Sequence, residues 1–351
     1  MKPLINFQVH HETSIQRFRL TQEKIIVAAQ TAIAHNLQCQ HCQDNEVCTQ
    51  HLREFEIGGL WNADFNPSSK LMLTANHDRK LCLWDVETGT YVREFLRHVD
   101  DEIKTVLFLD EITFAAGFSD GALMIWSSTA DQPTHVLVGH TETIHQLACH
   151  DQFLFSGSRD KTVRIWNIAT GECVRVLEGH TDYISAITVS PDFSLLRVGS
   201  GNRELRIWDW RTGELVAVCQ TDALVSSQYG DIDGKLVTCG LDGKIRTWTQ
   251  KGDLLETFAA HEAPVRALAM AGRFVVTGAR DGTLKVWDWD KKDMLFEFGD
   301  PELRLLSGFG TAHGMLYTDS GKSGLGPHHV QIWDLGEIER VATGLLESRS
   351  N

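Results

Sequence analysis

The sequence predicts an all-β fold made of repeated blades, and three observations carry that expectation. A phrase closing on Trp recurs seven times, its spacing stays near forty residues, and each copy alternates apolar and polar residues before a Gly turn. The phrases are LCLWD at Trp84, LMIWS at Trp126, VRIWN at Trp166, LRIWD at Trp208, IRTWT at Trp248, LKVWD at Trp287 and VQIWD at Trp333. Successive gaps are 42, 40, 42, 40, 39 and 46 residues. A supersecondary unit copied at this period, with short strands, reads as the blade of a propeller.

The clearest copy, HVLVGHTETIHQLACHDQFLFSGSRDKTVRIWNIATGE, runs from His135 to Glu172. It predicts an edge strand at 135–138, a Gly-His corner, strands near 144–149 and 153–156, a turn at Ser158–Lys161, and a strand ending at Trp166. Val163 and Ile165 alternate with Thr162 and Arg164, which puts two apolar side chains on one face. Ala169-Thr170-Gly171-Glu172 then turns the chain outward, as Glu87-Thr88-Gly89 and Arg211-Thr212-Gly213-Glu214 do, with Gly supplying the turn geometry.

An eroded copy precedes the first Trp. HETSIQRFRLTQEKIIVAAQTAIAHNL, His11 to Leu37, follows the order of the clear copy with a shortened turn and with His35 where Trp would stand. Terminal repeats are often atypical. We therefore expect eight blades, with seven plus an N-terminal extension as the alternative. Residues 1–351 are expected to be one domain, its degenerate first unit over about 3–50 and its Trp-terminated units over about 51–345. The outer strand of the last blade has two candidates, Leu4–Val9 and Ile338–Ala342, and the sequence leaves both open.

Bulk composition narrows the function classes. The chain has 42% apolar and 23% charged residues and a formal charge of −14. That charge argues against a phosphate-backbone binder, since nucleic-acid affinity is built on Lys and Arg. No stretch is long and apolar enough to insert in a membrane. MKPLINFQVHHETS reads as no secretory signal, so a cytoplasmic or nuclear location is expected. Five of the eight Cys (Cys82, Cys149, Cys173, Cys219 and Cys239) sit singly in strand-like runs, where they act as small hydrophobes.

Together the Gly-His corners (Gly139-His140, Gly179-His180, with Ala260-His261 and Arg97-His98 as variants) and the Trp-Asp pairs (Trp84-Asp85, Trp208-Asp209, Trp287-Asp288, Trp333-Asp334) resemble the WD-repeat β-propeller family over almost the whole chain. The resemblance implies a buried hydrogen-bond relay through His140, Ser156, Asp160 and Trp166, and again through His261, Thr277, Asp281 and Trp287. Donor and acceptor capacities fit: indole only donates, carboxylate only accepts, and hydroxyl and neutral imidazole do both. Ser, His and Asp here read as structural, because the pattern repeats and a nucleophile needs one unique site with an oxyanion hole. Other copies are partial. Thr74, Asp78 and Trp84 lack a His, with Gly58-Gly59 at the corner. Asp120 and Trp126 accompany Ala116; Thr238, Asp242 and Trp248 again lack the His; Asn202 and Val198 replace Asp and hydroxyl beside Trp208.

The same resemblance puts the residue before each turn Asp, and the residue before each first strand, on one rim. These are His77, Ser119, Arg159, Leu241 and Arg280, with Thr143, Tyr183 and Pro264. Arg159, Tyr183 and Arg280 are the expected partner anchors, because Arg and Tyr are enriched at interface hot spots. Two Arg also suit acidic or phosphorylated segments, through bidentate contacts.

Three further motifs stand apart from the repeats. Cys39, Cys42, Cys48 and His51 are zinc-type ligands on a polar insertion, but the second pair departs from finger spacings, so a solvated loop with free thiols and no metal is expected. Gly321-Lys322-Ser323 lacks the Gly of a phosphate loop, having Leu316 there. Tyr317 to His329 reads as a lengthened turn that accounts for the 46-residue gap. The sequence thus points to a non-enzymatic scaffold that binds a protein or peptide on one rim, without a cofactor. A substrate-recognition module of a ubiquitin ligase, as in F-box proteins with WD repeats, is the first alternative. It would need a further segment or adaptor, since no stretch resembles an F-box. A propeller-fold enzyme is the second, and it would need acids, bases or ligands converging on one rim.

Overall fold

The computed structural model describes residues 5–9, 60–68, 70–76, 79–85, 90–95, 101–190, 192, 194–221, 225–232, 234–271, 273–281, 283–299, 304–312, 315–321, 328–334, 338–340, 342–343 and 346. The chain is all-β. After β1 (Ile5–Val9), the strands gather in sheets of four. The first holds β2 (Leu60–Phe65), β3 (Leu71–Asn76), β4 (Leu81–Asp85) and β5 (Thr90–Phe95). The second holds β6 (Ile103–Phe108), β7 (Thr113–Phe118), β8 (Leu123–Ser127) and β9 (His135–Leu137). The third holds β10 (Ile144–His150), β11 (Phe153–Ser158), β12 (Val163–Asn167) and β13 (Cys173–Leu177). Then come β14 (Ile184–Val189), β15 (Leu195–Ser200), β16 (Glu204–Asp209) and β17 (Glu214–Gln220). The fifth sheet is β18 (Val225–Ile232), β19 (Lys235–Gly240), β20 (Lys244–Trp248) and β21 (Leu254–Ala259). The sixth is β22 (Val265–Ala271), β23 (Phe274–Ala279), β24 (Thr283–Asp288) and β25 (Asp293–Gly299). The last joins β26 (Arg304–Ala312), β27 (Met315–Gly321) and β28 (His328–Asp334) to β1.

Two compact units make up the chain: Arg97–Leu268, and Met1–Leu96 together with Ala269–Asn351. The described residues contribute seven sheets of four. Of the expected degenerate first unit over about 3–50, only β1 (Ile5–Val9) is described, and it pairs with β28; the rest lies outside the described residues. In the second of these units, the choice between two closing strands is resolved. β1 pairs antiparallel with β28, Ile5 opposite Ile332 and Val9 opposite His328. The rival segment is helical at 338–340 and 342–343. Ile338 and Ala342, four residues apart, are both fully buried against Phe274, Val276, Leu284 and Val286, as one face of a helix requires.

The lengthened turn expected at Tyr317 to His329 is corrected. Tyr317–Gly321 continues β27, and His328 and His329 open β28, with Gly321 opposite His328. Two seven-residue strands thus absorb part of the 46-residue gap. Residues 322–327 lie outside the description.

Packing in the unit Arg97–Leu268 explains why strands such as β12 are apolar on both faces. Val163 and Ile165 point toward the following sheet, where they join Ile184, Leu196, Val198 and Trp208. Trp166 points the other way and joins Ala115, Leu123, Ile125 and Leu137 of the preceding sheet. The next interval repeats this, with Leu205 and Ile207 packed with Leu236 and Trp248. Period-two alternation therefore sends each third strand's aliphatic pair forward and its Trp back. Each such side chain, once buried, contributes about 1.5–3 kcal/mol relative to exposure.

Neighbouring sheets approach closely at Gly157. A Cβ there would meet Ile184 Cγ2 at 2.5 Å and Ile187 Cδ1 at 2.7 Å. Gly157→Ala is expected to lower stability by about 1–3 kcal/mol through overpacking. Urea unfolding of the variant, compared with wild type, checks this, and an unchanged midpoint would contradict the packing described.

Candidate interaction surface

The relay of the third sheet fixes the ends of the strands that carry the surface. Trp166 Nε1 donates to Ser156 Oγ at 2.8 Å, His140 Nε2 lies 2.8 Å from the same hydroxyl, and His140 Nδ1 lies 2.7 Å from Asp160 Oδ2. With Nδ1–H donating to the carboxylate, Nε2 accepts the seryl proton, and the hydroxyl oxygen accepts from the indole. Every group is then satisfied. Asp160 also accepts from Thr141 N, Thr162 N and Thr162 Oγ1. Burial alone would raise its carboxyl, but the hydrogen bonds from His140 and Thr162 outweigh it and hold the group far below the usual carboxylate range.

Other sheets keep fragments of this device. Trp84 donates to Thr74 Oγ1 at 2.9 Å, Trp248 to Thr238 Oγ1 at 2.9 Å, and Trp287 to Thr277 Oγ1 at 2.8 Å. Asp281 accepts from Thr283 N and Oγ1. His261 is buried and belongs to the other compact unit from Thr277, Asp281 and Trp287. Where the fifth sheet lacks a His, Arg246 replaces it, gripping Asp242 with Nη2 at 2.6 Å and Nη1 at 3.2 Å. Trp126 stacks on Phe114 with centroids 5.7 Å apart. His77 and Asp78 lie outside the described residues.

The fourth sheet breaks the relay. Val198, fully buried, stands where a hydroxyl would, and neither His180 nitrogen nor Trp208 Nε1 has a partner among the described residues. Asn202 turns instead to Thr181 Oγ1 at 2.7 Å. Burial first, and the Arg206 charge second, push the His180 imidazole down to about 4, so it stays neutral near neutrality.

A backbone rule places the rim residues of the unit Arg97–Leu268. The residue before each turn donates its N–H to the carbonyl of the residue heading the first strand: Ser119 to Glu102 at 2.9 Å, Arg159 to Thr143 at 2.8 Å, Gly201 to Tyr183 at 2.9 Å. Thr143 Oγ1 crosses to Ser119 O at 3.0 Å and ties neighbouring turns together. Both sets of rim positions are thus drawn to one side. Arg159 is exposed and Tyr183 half-buried; Arg280 is exposed in the other unit.

Two residues beside them were not singled out in the sequence. The first strands β6 and β10 each carry a bulge at the second residue, between Ile103 and Thr105 and between Ile144 and Gln146, so Lys104 and His145 leave the ladder. His145 meets the Tyr183 ring edge-on at 6.3 Å. Its imidazole is pushed down to about 4, by burial and then by the charges of Arg159 and Lys104. Lys104 is ion-paired with Glu102. Tyr183 lies over Gly201, where a Cβ would come within 2.5 Å of Cε1. Only Gly leaves room for the ring, whereas the equivalent turns hold Ser119, Arg159 and Leu241.

Among the described residues no cluster of His, Cys, Asp or Glu fits a metal ion, and no helix is long and apolar enough to cross a membrane. Cys39, Cys42, Cys48 and His51 lie outside the description.

Sheets of four, repeated Trp-to-hydroxyl bonds and Gly-His corners are those of the WD-repeat β-propeller class, and WD repeats occur at four positions of this chain. The model of the WD domain, G-beta repeat, matches residues 47–85, 131–167, 171–209 and 252–288. The chain is similar to Autophagy-related protein 16 of Arabidopsis thaliana, 22% identical over 249 residues, which are 69% of this chain and 40% of that protein. It is similar also to human Cilia- and flagella-associated protein 52, 28% identical over 27% of this chain and 16% of that one. A third relative is the Ribosome biogenesis protein YTM1 of Vanderwaltozyma polyspora, 31% identical over 21% of this chain and 16% of its own. The chain thus matches less than half the length of each relative. Its repeats supply a protein-interaction scaffold.

Restoring the missing hydroxyl is the direct check on the relay. Val198→Thr is expected to stabilise the protein by about 1 kcal/mol, by pairing Trp208 and His180, measured by urea unfolding. A lower midpoint would contradict the orphaned state of these groups. Asp160 gives a pH signature with a defined sign. Its depressed folded value adds stability above the ordinary Asp value of about 4, and this is lost as pH falls below it. The gap in melting temperature between wild type and Asp160→Asn should therefore narrow below about pH 4, while a gap constant with pH would exclude the carboxylate's role.

Proposed function

We propose that the protein is a non-catalytic scaffold that holds a protein or peptide segment on the turn-end surface of the unit Arg97–Leu268, with Arg159 and Tyr183 as anchors. One observation carries this reading. Arg159 is exposed, makes no ion pair among the described residues, and shares the His145 environment with the Tyr183 ring. An exposed guanidinium whose charge reaches the imidazole beside the Tyr183 ring suits an acidic or phosphorylated segment, since a carboxylate or phosphoryl group accepts two parallel N–H bonds. Arg280 takes the equivalent place in the other unit and is proposed as a second contact there. The chain's net acidity disfavours an extended polyanion such as nucleic acid, whereas a short anionic segment needs only the local Arg charge. A cytoplasmic or nuclear location accompanies this proposal.

The absence of turnover is part of the proposal. It is supported by the state of Ser156, whose hydroxyl is fully buried and bonded to an indole, so that it is neither accessible nor free to attack a substrate. Affinity capture from cell extract, quantified by mass spectrometry, tests the assignment. Arg159→Glu with Arg280→Glu is expected to abolish capture while the melting curve stays unchanged. Undiminished capture by the folded double variant would refute it.

A further inference from the structure

We propose that His145, with Lys104, Arg159 and Tyr183, forms a proton-linked subsite for the anionic side chain of an acidic partner segment, the imidazole taking up a proton as the anion binds. The inference rests on the reading above, that an acidic protein segment docks here, and adds the residue that sets how tightly it docks at a given pH.

The geometry comes from three successive first strands. The bulge at the head of β10 takes His145 out of the ladder, and neither of its nitrogens has a hydrogen-bond partner among the described residues. Lys104 occupies the same bulge position in β6, and Arg159 comes from the β11–β12 turn, whose backbone is tied to Thr143 directly before β10. The Tyr183 ring, seated over Gly201, closes the side toward β14. The acidic groups nearby are engaged: Glu102 pairs with Lys104, and Asp182 Oδ1 accepts from Tyr183 N at 2.8 Å. His145 therefore faces two cations, a ring edge and carboxylates already committed to other donors.

Without ligand the imidazole is neutral, pushed down to about 4 by burial and by the two cations. An anion lying between Arg159 and Lys104 cancels the repulsion they exert and adds an attraction of its own, so the imidazolium becomes the favoured form. One of its N–H groups then donates to the ligand, a hydrogen bond strengthened by charge on both partners. Linkage is reciprocal: if the anion raises proton affinity, a proton raises anion affinity by the same factor. The sign is fixed, binding tightening as pH falls.

Sulfate is the probe, because it stays a dianion over the relevant range and contributes no titration of its own. Full-length protein carrying isotope-labelled His is titrated by NMR with and without saturating sulfate at constant ionic strength, and the His145 signal is assigned by its loss in His145→Gln. The His145 midpoint should rise from about 4 to about 6, and sulfate should bind about tenfold tighter near pH 5 than near pH 7. His145→Gln should bind sulfate with nearly equal affinity at both, and Arg159→Gln should weaken binding at both. Equal affinities in wild type, or an undiminished pH dependence in His145→Gln, would overturn the proposal. The partner-capture experiment is read separately: capture lost in the Arg variants together with pH-independent sulfate binding overturns the proton link alone, whereas capture retained refutes the docking surface itself.

Discussion

The bond from a third-strand indole to a second-strand hydroxyl is the constraint on which the rest depends. Trp166 faces back onto the preceding sheet, so its ring is committed to the interface between sheets, while its N–H must find an acceptor within its own sheet. Ser156 supplies that acceptor, ten residues back and on the adjacent strand. The same ten-residue step recurs from Trp84 to Thr74, Trp248 to Thr238 and Trp287 to Thr277. A buried donor left without a partner costs about 1–3 kcal/mol, so hydroxyl and indole are selected together.

From this bond the ordering passes outward. Ser156 engages His140, His140 engages Asp160, and Asp160 gathers the backbone of the corner and the turn. The turns are thereby held at their base while the side chains at their tips face outward, which is how a repeat scaffold displays varied side chains without loss of its core. Arg159 sits at such a tip. Tyr183 sits opposite, and its placement depends on an omission, the missing side chain of Gly201. Specificity on this surface comes from which turns carry bulk and which leave room for a neighbour.

Much of this was legible in the sequence, because the repeat compares each copy with the others. The Trp period gave the sheets, and the order His140, Ser156, Asp160, Trp166 could be lined up by spacing. What stayed hidden has physical causes. Lys104 and His145 lie at bulges, which are properties of two-strand pairing, while alternation is read along a single strand. Arg246 replaces a corner His from the third strand across a turn, so no fixed offset from the corner reveals it. Near the chain end, Ile338, Ala342 and Leu346 follow a four-residue step, a helical signal that weighs against the second of the two candidate closing strands. The pairing of β27 with β28 reads as a turn in the sequence because its Gly and His residues lack strand character in isolation.

The relay sets how firmly each sheet is held, and the third and fourth sheets differ in just this respect. One has a complete chain of donors and acceptors; the other has Val198, with His180 and Trp208 unpaired among the described residues. Native-state hydrogen exchange under increasing denaturant measures local opening directly. The amides of β15 and β16 are predicted to exchange through openings of lower free energy than those of β11 and β12. Equal protection in the two sheets, or greater protection in the fourth, would contradict the account.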